Sequence, residues 1–297
     1  MKIVCAWMYA IGQYGFPPEI QNVLRAIREM KEMGFEYIEA EGIGYDNLEQ
    51  VIDQRGEIKK ICDGEGLKLA NFAVLLPDVI SMEQKVREKA FSYFERGVET
   101  AAYLGSPYTW IDSYFPPLEV QKGVVPTDGL VYGQEFRVKI SDGFDWQQFW
   151  DSFIAAISHC NQIAGSNGIG LLVEPRVGEV VANSDAMLRM IEQVNDDNLG
   201  VILDIGHQYA QKELIPLSIE KLGRHMKYVH IADNDGRDNR HFVPGNGTVD
   251  WDEVFRLLKR RGFEGYFSVD LEQLPNLKEK FLATKRFLED CAHRYGL

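Results

Sequence analysis

Short apolar runs and amphipathic stretches alternate along the whole chain. The runs cover residues 2–7, 35–41, 67–75, 108–113, 170–175, 201–206, 227–232 and 266–271, and each reads as a strand. Between them, apolar residues recur at three- and four-residue spacing, most clearly over 18–34, 82–105 and 250–262, which predicts helices. Asp250, followed by Trp251 and the acidic Asp252, is the expected N-cap of the last of these. Gly34, Gly66, Gly200 and Gly265 each stand between a helical stretch and a strand, where a left-handed residue closes a helix. Uninterrupted alternation is the mark of parallel α/β architecture. Eight such units with no Pro/Ser-rich linker predict one domain over 1–297, a single (β/α)₈ TIM barrel.

Residues 114–145 break the rhythm. About 30 residues follow the fourth strand there, where βα loops commonly run to about 2–6. This inserted loop before the fourth helix predicts a small hairpin over 130–140, turning at Gly133 and Gln134. Long segments above a barrel mouth serve as lids or as oligomer contacts, and both readings stand.

Chemistry gathers at the ends of the last four strands. Glu174 follows GLLV, Asp204 follows LGVIL, His230 follows MKYV and Asp270 follows GYFSV. Each shares the period-two parity of inward residues: Glu174 with Leu172, Asp204 with Ile202, His230 with Tyr228, Asp270 with Ser268. Strand ends converge at the C-terminal face of a (β/α)₈ barrel, where its active site lies. Carboxylates with one imidazole suit a divalent ion, Mn²⁺ first, with Mg²⁺, Co²⁺ and Zn²⁺ also compatible.

His207, three residues beyond Asp204, is expected to polarise a substrate oxygen, against a structural hydrogen-bonding role. Trp110 ends the fourth strand and offers an aromatic face on which a ligand can stack. Arg176 and Glu179 follow Glu174 and are candidates to bind hydroxyls, or else pair with each other. His241, before a Pro-Gly-Asn-Gly turn, is a candidate to face the site. Trp7 is expected in the core. His159, His225 and His293 are expected on the surface or in packing.

The chain carries a formal charge of −13 with 26% charged and 45% hydrophobic residues. An acidic surface opposes nucleic-acid binding by counterion release, and the apolar content allows a sizeable core. No window approaches the ~18–20 apolar residues of a membrane span. The N-terminal residues read as a strand rather than a secretory leader. Cys5, Cys62, Cys160 and Cys291 are widely spaced and form no Cys-x-x-Cys pair, which is expected of reduced, buried thiols in a cytoplasmic protein.

The segments VEPRVGE (173–179), LDIGH (203–207), YVHIADNDG (228–236), HFVPGNGTVDW (241–251) and GYFSVDL (265–271) resemble the xylose-isomerase-like barrel superfamily, in particular its sugar epimerase and isomerase branch. The resemblance spans the chain and is strongest after residue 170. It implies one Mn²⁺-like ion held by Glu174, Asp204, His230 and Asp270. It further implies proton abstraction next to a carbonyl through a metal-stabilised enediolate, with Glu174 and Asp270 exchanging protons with the two faces of the sugar. Asp270 stands where those epimerases usually carry Glu, and Glu272 shares its parity. Arg237 follows the position where they often carry Arg, so it either substitutes as a substrate contact or is solvated.

The substrate class so implied is a small sugar or keto-sugar, non-phosphorylated because no phosphate-binding Gly-rich loop or cationic cluster stands at the mouth. A homo-oligomer is expected. The alternative is a lyase acting on an oxidised sugar by β-elimination, as in keto-inositol dehydratases and C-glycoside deglycosidases, with a small partner subunit in the latter case. The AP-endonuclease members need further His ligands on the third and fourth strands, and ANFAVLLP and YTWIDS contain none.

Overall fold

The computed structural model describes residues 1–123, 135–272 and 274–297. In chain order the elements are β1 (Lys2–Cys5), α1 (Met8–Tyr14), α2 (Ile20–Glu32), β2 (Tyr37–Ile43), α3 (Gly44–Glu65), β3 (Lys68–Leu75), α4 (Gln84–Tyr103) and β4 (Tyr108–Asp112). Then come β5 (Glu119–Lys122), β6 (Arg137–Lys139), α5 (Trp146–Ser166), β7 (Gly170–Glu174), α6 (Ser184–Val194), β8 (Leu199–Asp204), α7 (Ile205–Ala210) and α8 (Ile215–Leu222). The chain finishes with β9 (Met226–Ile231), α9 (Trp251–Arg260), β10 (Tyr266–Val269) and α10 (Leu277–Tyr295).

Eight parallel strands close a barrel in the order β1, β2, β3, β4, β7, β8, β9, β10 and back to β1. Their near-continuous apolar sequences follow from burial on both faces. One set of side chains packs outward against the helices in the main core. The alternate set, including Val4, Ala70, Leu172, Ile202 and Tyr228, forms a separate apolar cluster, which fills the barrel interior as side-chain layers do in this architecture. All four cysteines are buried and free, as expected.

Several predicted boundaries move. Residues 205–206 belong to α7 and not to a strand, because the Asp204 carboxylate accepts from the backbone N–H of His207 at 2.6 Å and starts a helix at the strand's last residue. The first strand, expected over 2–7, ends at Cys5, and Met8–Tyr14 beyond it forms α1 and buries Tyr9 and Ala10. Asp250 caps α9 as predicted, accepting from Glu253 N–H at 3.1 Å.

Gly34 and Gly66 have positive φ after their helices, of 78° and 66°. Gly200 and Gly265 do not, and space is their reason. A Cβ at Gly265 would stand 2.2 Å from the Lys227 carbonyl oxygen, and one at Gly200 would meet Lys227 and Leu172 side-chain carbons at 2.7 and 2.8 Å.

Between β4 and α5, β5 and β6 pair antiparallel, with Val120 opposite Val138. Residues 137–139 thus pair with 119–122 and not within a 130–140 hairpin, whose expected turn at Gly133 and Gln134 lies outside the described residues. Among the described residues no helix is long and apolar enough to cross a membrane.

Candidate metal centre

β7, β8 and β9 bring three of the four expected ligands together at the barrel mouth. Glu174 Oε1 lies 2.6 Å from His230 Nδ1, and Asp204 Oδ2 lies 3.4 Å from the same nitrogen. Register explains part of this, since Asp204 is paired with His230 across β8 and β9. Asp270 is set back. Ser268, not Asp270, is level with His230 across β9 and β10, and Asp270 Oδ2 stands 3.9 Å from His230 Nδ1. By the same pairing Glu174, next after the Val173–Val201 pair, is level with Ile202, so only Asp204 and His230 share a level and Glu174 meets them through its longer side chain. Asp270 sits one inward position nearer the mouth and on the short Asp side chain.

The donor set passes a simple test of fit to a cation. Glu174 Oε1, Asp204 Oδ2 and both ring nitrogens of His230 are buried and lack an aligned hydrogen bond. Buried polar atoms are rarely left so, and orphans converging from three strands are what a shared ion would satisfy. One atom from each of Glu174, Asp204 and His230 lies within a 4.8 Å cluster, a span that suits common ligation.

The electrostatics agree. Burial opposes the charge on His230, yet Glu174 and the neighbouring carboxylates outweigh it and hold the imidazole well above its ordinary range. For Glu174, burial wins over His230 and pushes the carboxyl up. Asp204 goes the other way: burial is outweighed by His241, His207 and His230, and its carboxyl is held well down. The cluster thus favours positive charge at its centre, as a cation site does.

The residue that orients His230 lies on β2 and was not anticipated. Glu39 Oε1 is 3.4 Å from His230 Nε2. Glu39 is fixed by Tyr228 OH at 2.8 Å, Ser268 Oγ at 2.6 Å and the Trp7 N–H at 3.1 Å, all donating to it. With Glu39 on Nε2, Nδ1 is left to face Glu174 and Asp204, the usual arrangement of a ligating histidine and its supporting carboxylate. The signal was present in FEYIEAE, where Glu39 and Glu41 take alternate positions of a buried strand.

The cavity above has a volume of about 270 Å³, near the lower end of the ~300–1,000 Å³ typical of small-ligand pockets. Its polar wall includes Glu174, Arg176, His207, His230, His241 and Asp270, and its apolar wall Met8, Ile11, Phe16, Leu75 and Trp110. Trp110 is held by its indole N–H donating to Asn71 at 3.1 Å.

Arg176 reaches Asp112 at 2.8 Å and donates to His207 Nε2 at 3.4 Å. Burial works against its charge, and Asp112 and Glu179 more than restore it. His207 is pushed well down by burial, with Asp204 only partly opposing, so it is a neutral imidazole beside the cavity. His241 packs edge-on to it at 4.7 Å between ring centres and bonds Asp270 Oδ2 through Nδ1 at 2.9 Å.

Two expected contacts are not brought to the cavity. Glu179 turns away, accepting from Ser113 Oγ at 2.9 Å and Tyr114 N–H at 2.8 Å, and so ties its loop to the end of β4. Arg237 is exposed and outside the cavity lining, since its loop folds back through the Asp233–Phe242 bridge and presents Asn239 and His241 instead. Glu272 reaches the rim but is engaged with Arg240 Nε at 2.7 Å. Trp7 is buried in the core as expected. None of the described residues in 115–145 lines the cavity.

The family model described as Xylose isomerase-like TIM barrel matches residues 27–291. The chain belongs to this family. Fructoselysine 3-epimerase of Escherichia coli O157:H7 is 31% identical over 125 residues, covering 41% of this chain and 46% of that protein. Inosose dehydratase of Yersinia enterocolitica serotype O:8 is 25% identical over 166 residues, covering 48% of this chain and 55% of the relative. The match thus spans about half the length of these curated relatives. Among solved structures, a D-tagatose 3-epimerase-like protein superposes with a TM-score of 0.75 at 19% identity, covering 100% of this chain and 98% of that one. The IOLI protein with a bound zinc atom superposes with a TM-score of 0.71 at 19% identity, covering 99% of each chain. At these identities the likeness speaks for the fold.

Proposed function

We propose that this chain is a divalent-metal-dependent enzyme that epimerises or isomerises a small keto-sugar by moving a proton on the carbon beside its carbonyl. The observation that carries this is the convergence of Glu174 Oε1, Asp204 Oδ2 and His230 Nδ1, buried and without aligned partners, with Glu174 and His230 lining a cavity of monosaccharide scale and Asp204 buried beside them. Glu174, Asp204, His230 and Asp270 are the proposed ligands of an ion, Mn²⁺ first and Mg²⁺, Co²⁺ or Zn²⁺ as alternatives, which when bound supplies Lewis-acid polarisation of the carbonyl and the adjacent hydroxyl. The zinc named in the IOLI structure supports a metal here, with its identity open to assay.

The chain's own groups divide the remaining work. Glu174 takes the proton, since burial raises its basicity towards the range useful at neutral pH. Asp270, supported by His241 at 2.9 Å, returns a proton from the other face. Neutral His207 and the guanidinium of Arg176 hold the substrate oxygen that gains negative charge. Trp110 and the apolar wall exclude water. Arg176 is the lone Lys or Arg among the described lining residues and is paired with Asp112, which favours a non-phosphorylated substrate.

A lyase is the second reading, and one observation favours it. Asp270 is set back and tied to His241, which weakens return of the proton from the second face. Deprotonation by Glu174 would then be followed by loss of a substituent from the next carbon, in keeping with the inosose dehydratase relative. The apolar residues Val138 and Ile140, exposed beside the β5–β6 pair, support a homo-oligomer contact there.

The deciding experiment incubates metal-loaded protein in D₂O with D-fructose, D-tagatose and a 3-keto-glycoside. An inverted stereocentre carrying deuterium is the expected outcome. A dehydrated product or a released aglycone selects the lyase, and no solvent exchange with any of them defeats both readings.

A further inference from the structure

β2 carries two inward carboxylates, and only the deeper one is satisfied by the protein. Glu39 receives three hydrogen bonds. Glu41, one inward position nearer the mouth, is 6% exposed, lines the cavity, and makes no hydrogen bond or ion pair with any described residue. β2 stands four strands from β8 in the ring of eight, so Glu41 addresses the cavity from the side opposite Asp204. Leu75, at the end of β3, lies on the same side of the lining.

We propose that Glu41 is a substrate-touching residue whose carboxyl hydrogen-bonds a hydroxyl of the bound keto-sugar on the side of the cavity opposite Asp204. The inference rests on the keto-sugar reading above. It adds that the substrate is a polyhydroxylated ketone long enough to carry a free hydroxyl across the mouth, whichever fate follows deprotonation. The Glu41 carboxyl opens onto the cavity with no partner among the described residues, so its hydrogen-bonding capacity is left to what the cavity holds, and a polar group kept in so buried a place without a structural partner is one that a ligand meets. Burial first, and then the neighbouring Glu39, Asp112, Asp270 and Glu174, favour its protonated form, which can donate to a sugar oxygen.

The test compares metal-loaded full-length wild type with Glu41→Gln and Glu41→Leu, reading thermal midpoint, kcat and KM on D-fructose, D-tagatose, D-psicose and their monodeoxy analogues. Glu41→Leu is expected to raise the midpoint by about 2–4 °C while lowering kcat/KM by roughly tenfold or more. Glu41→Gln, which keeps a donor, should recover most of the rise in KM. One deoxy analogue should cost the wild type about what Glu41→Leu costs, and cost Glu41→Leu almost nothing further.

A lowered midpoint with unchanged kcat/KM in Glu41→Leu, or equal deoxy penalties in both proteins, overturns the proposal. Turnover of none of these sugars by wild type defeats the keto-sugar reading alone. Glu41 is then judged by the midpoint: a rise in Glu41→Leu supports a group kept for a ligand, and a fall overturns it.

Discussion

Glu39 Oε1 stands 3.4 Å from His230 Nε2, while Nδ1 of the same ring stands 2.6 Å from Glu174 Oε1. The imidazole is thus clasped between a carboxylate fully engaged below it and two incompletely engaged ones beside it. Because Glu39 sets which nitrogen faces Glu174 and Asp204, Glu39→Gln should weaken divalent metal binding by about 10–100-fold. Equilibrium dialysis against Mn²⁺ or Zn²⁺ checks this, with circular dichroism as the control for folding. Unchanged affinity would remove Glu39 from the centre.

Glu174 is proposed as ligand and base together. Glu174→Gln keeps the shape and removes the proton acceptor, so turnover should fall by about 10²–10⁴-fold with the far-UV spectrum of a folded barrel. Turnover like that of wild type would take Glu174 out of the mechanism.

Proton linkage gives a prediction for metal-free protein. Burial opposes the charge on His241, but Asp204 and Asp270 outweigh it and raise its pKa from 6.5 to about 9. A raised histidine contributes stability that is complete below its unfolded pKa and is lost as pH climbs through the folded one. Between pH 6.5 and 9 the metal-free midpoint should therefore fall, by an amount set by a free energy on the order of 3 kcal/mol. His230, also raised, has the same sign. Saturating divalent metal supplies positive charge independently of those protons and should flatten the slope; a metal-free midpoint that rises over this window contradicts the assignment.

The loop that presents His241 hangs on Asp233. Its carboxylate accepts from the N–H groups of Asn234 at 2.8 Å, Gly245 at 2.6 Å and Val249 at 3.2 Å, and from the indole of Trp251 at 3.0 Å. Asp233→Ala leaves several buried donors unpaired and should cost roughly 3 kcal/mol or more. Gly247→Ala should disturb the same loop by crowding, since its Cβ would stand 2.3 Å from Asp233 Oδ1. Both variants should lower the thermal midpoint and the activity together. A normal midpoint in either would show that the loop is held by other contacts.

Strand and helix alternation, the barrel, and the inward-facing Glu174, Asp204, His230 and Asp270 were legible in the chain because they depend on local periods and on where strands end. What the tertiary structure alone decided depends on closure. Glu39 reaches Tyr228 across 189 positions of sequence, and only a sealed ring brings β2 within reach of β9 across the barrel interior. The same closure withdrew Glu179 into the base of its loop, left Arg237 outside the cavity lining, set Asp270 above the level of His230 by the β9–β10 register, and gave Glu41 a place facing the cavity without a partner. Periodicity along a strand says which way a side chain points; which other side chain it meets is a property of the strand order and the stagger between neighbours.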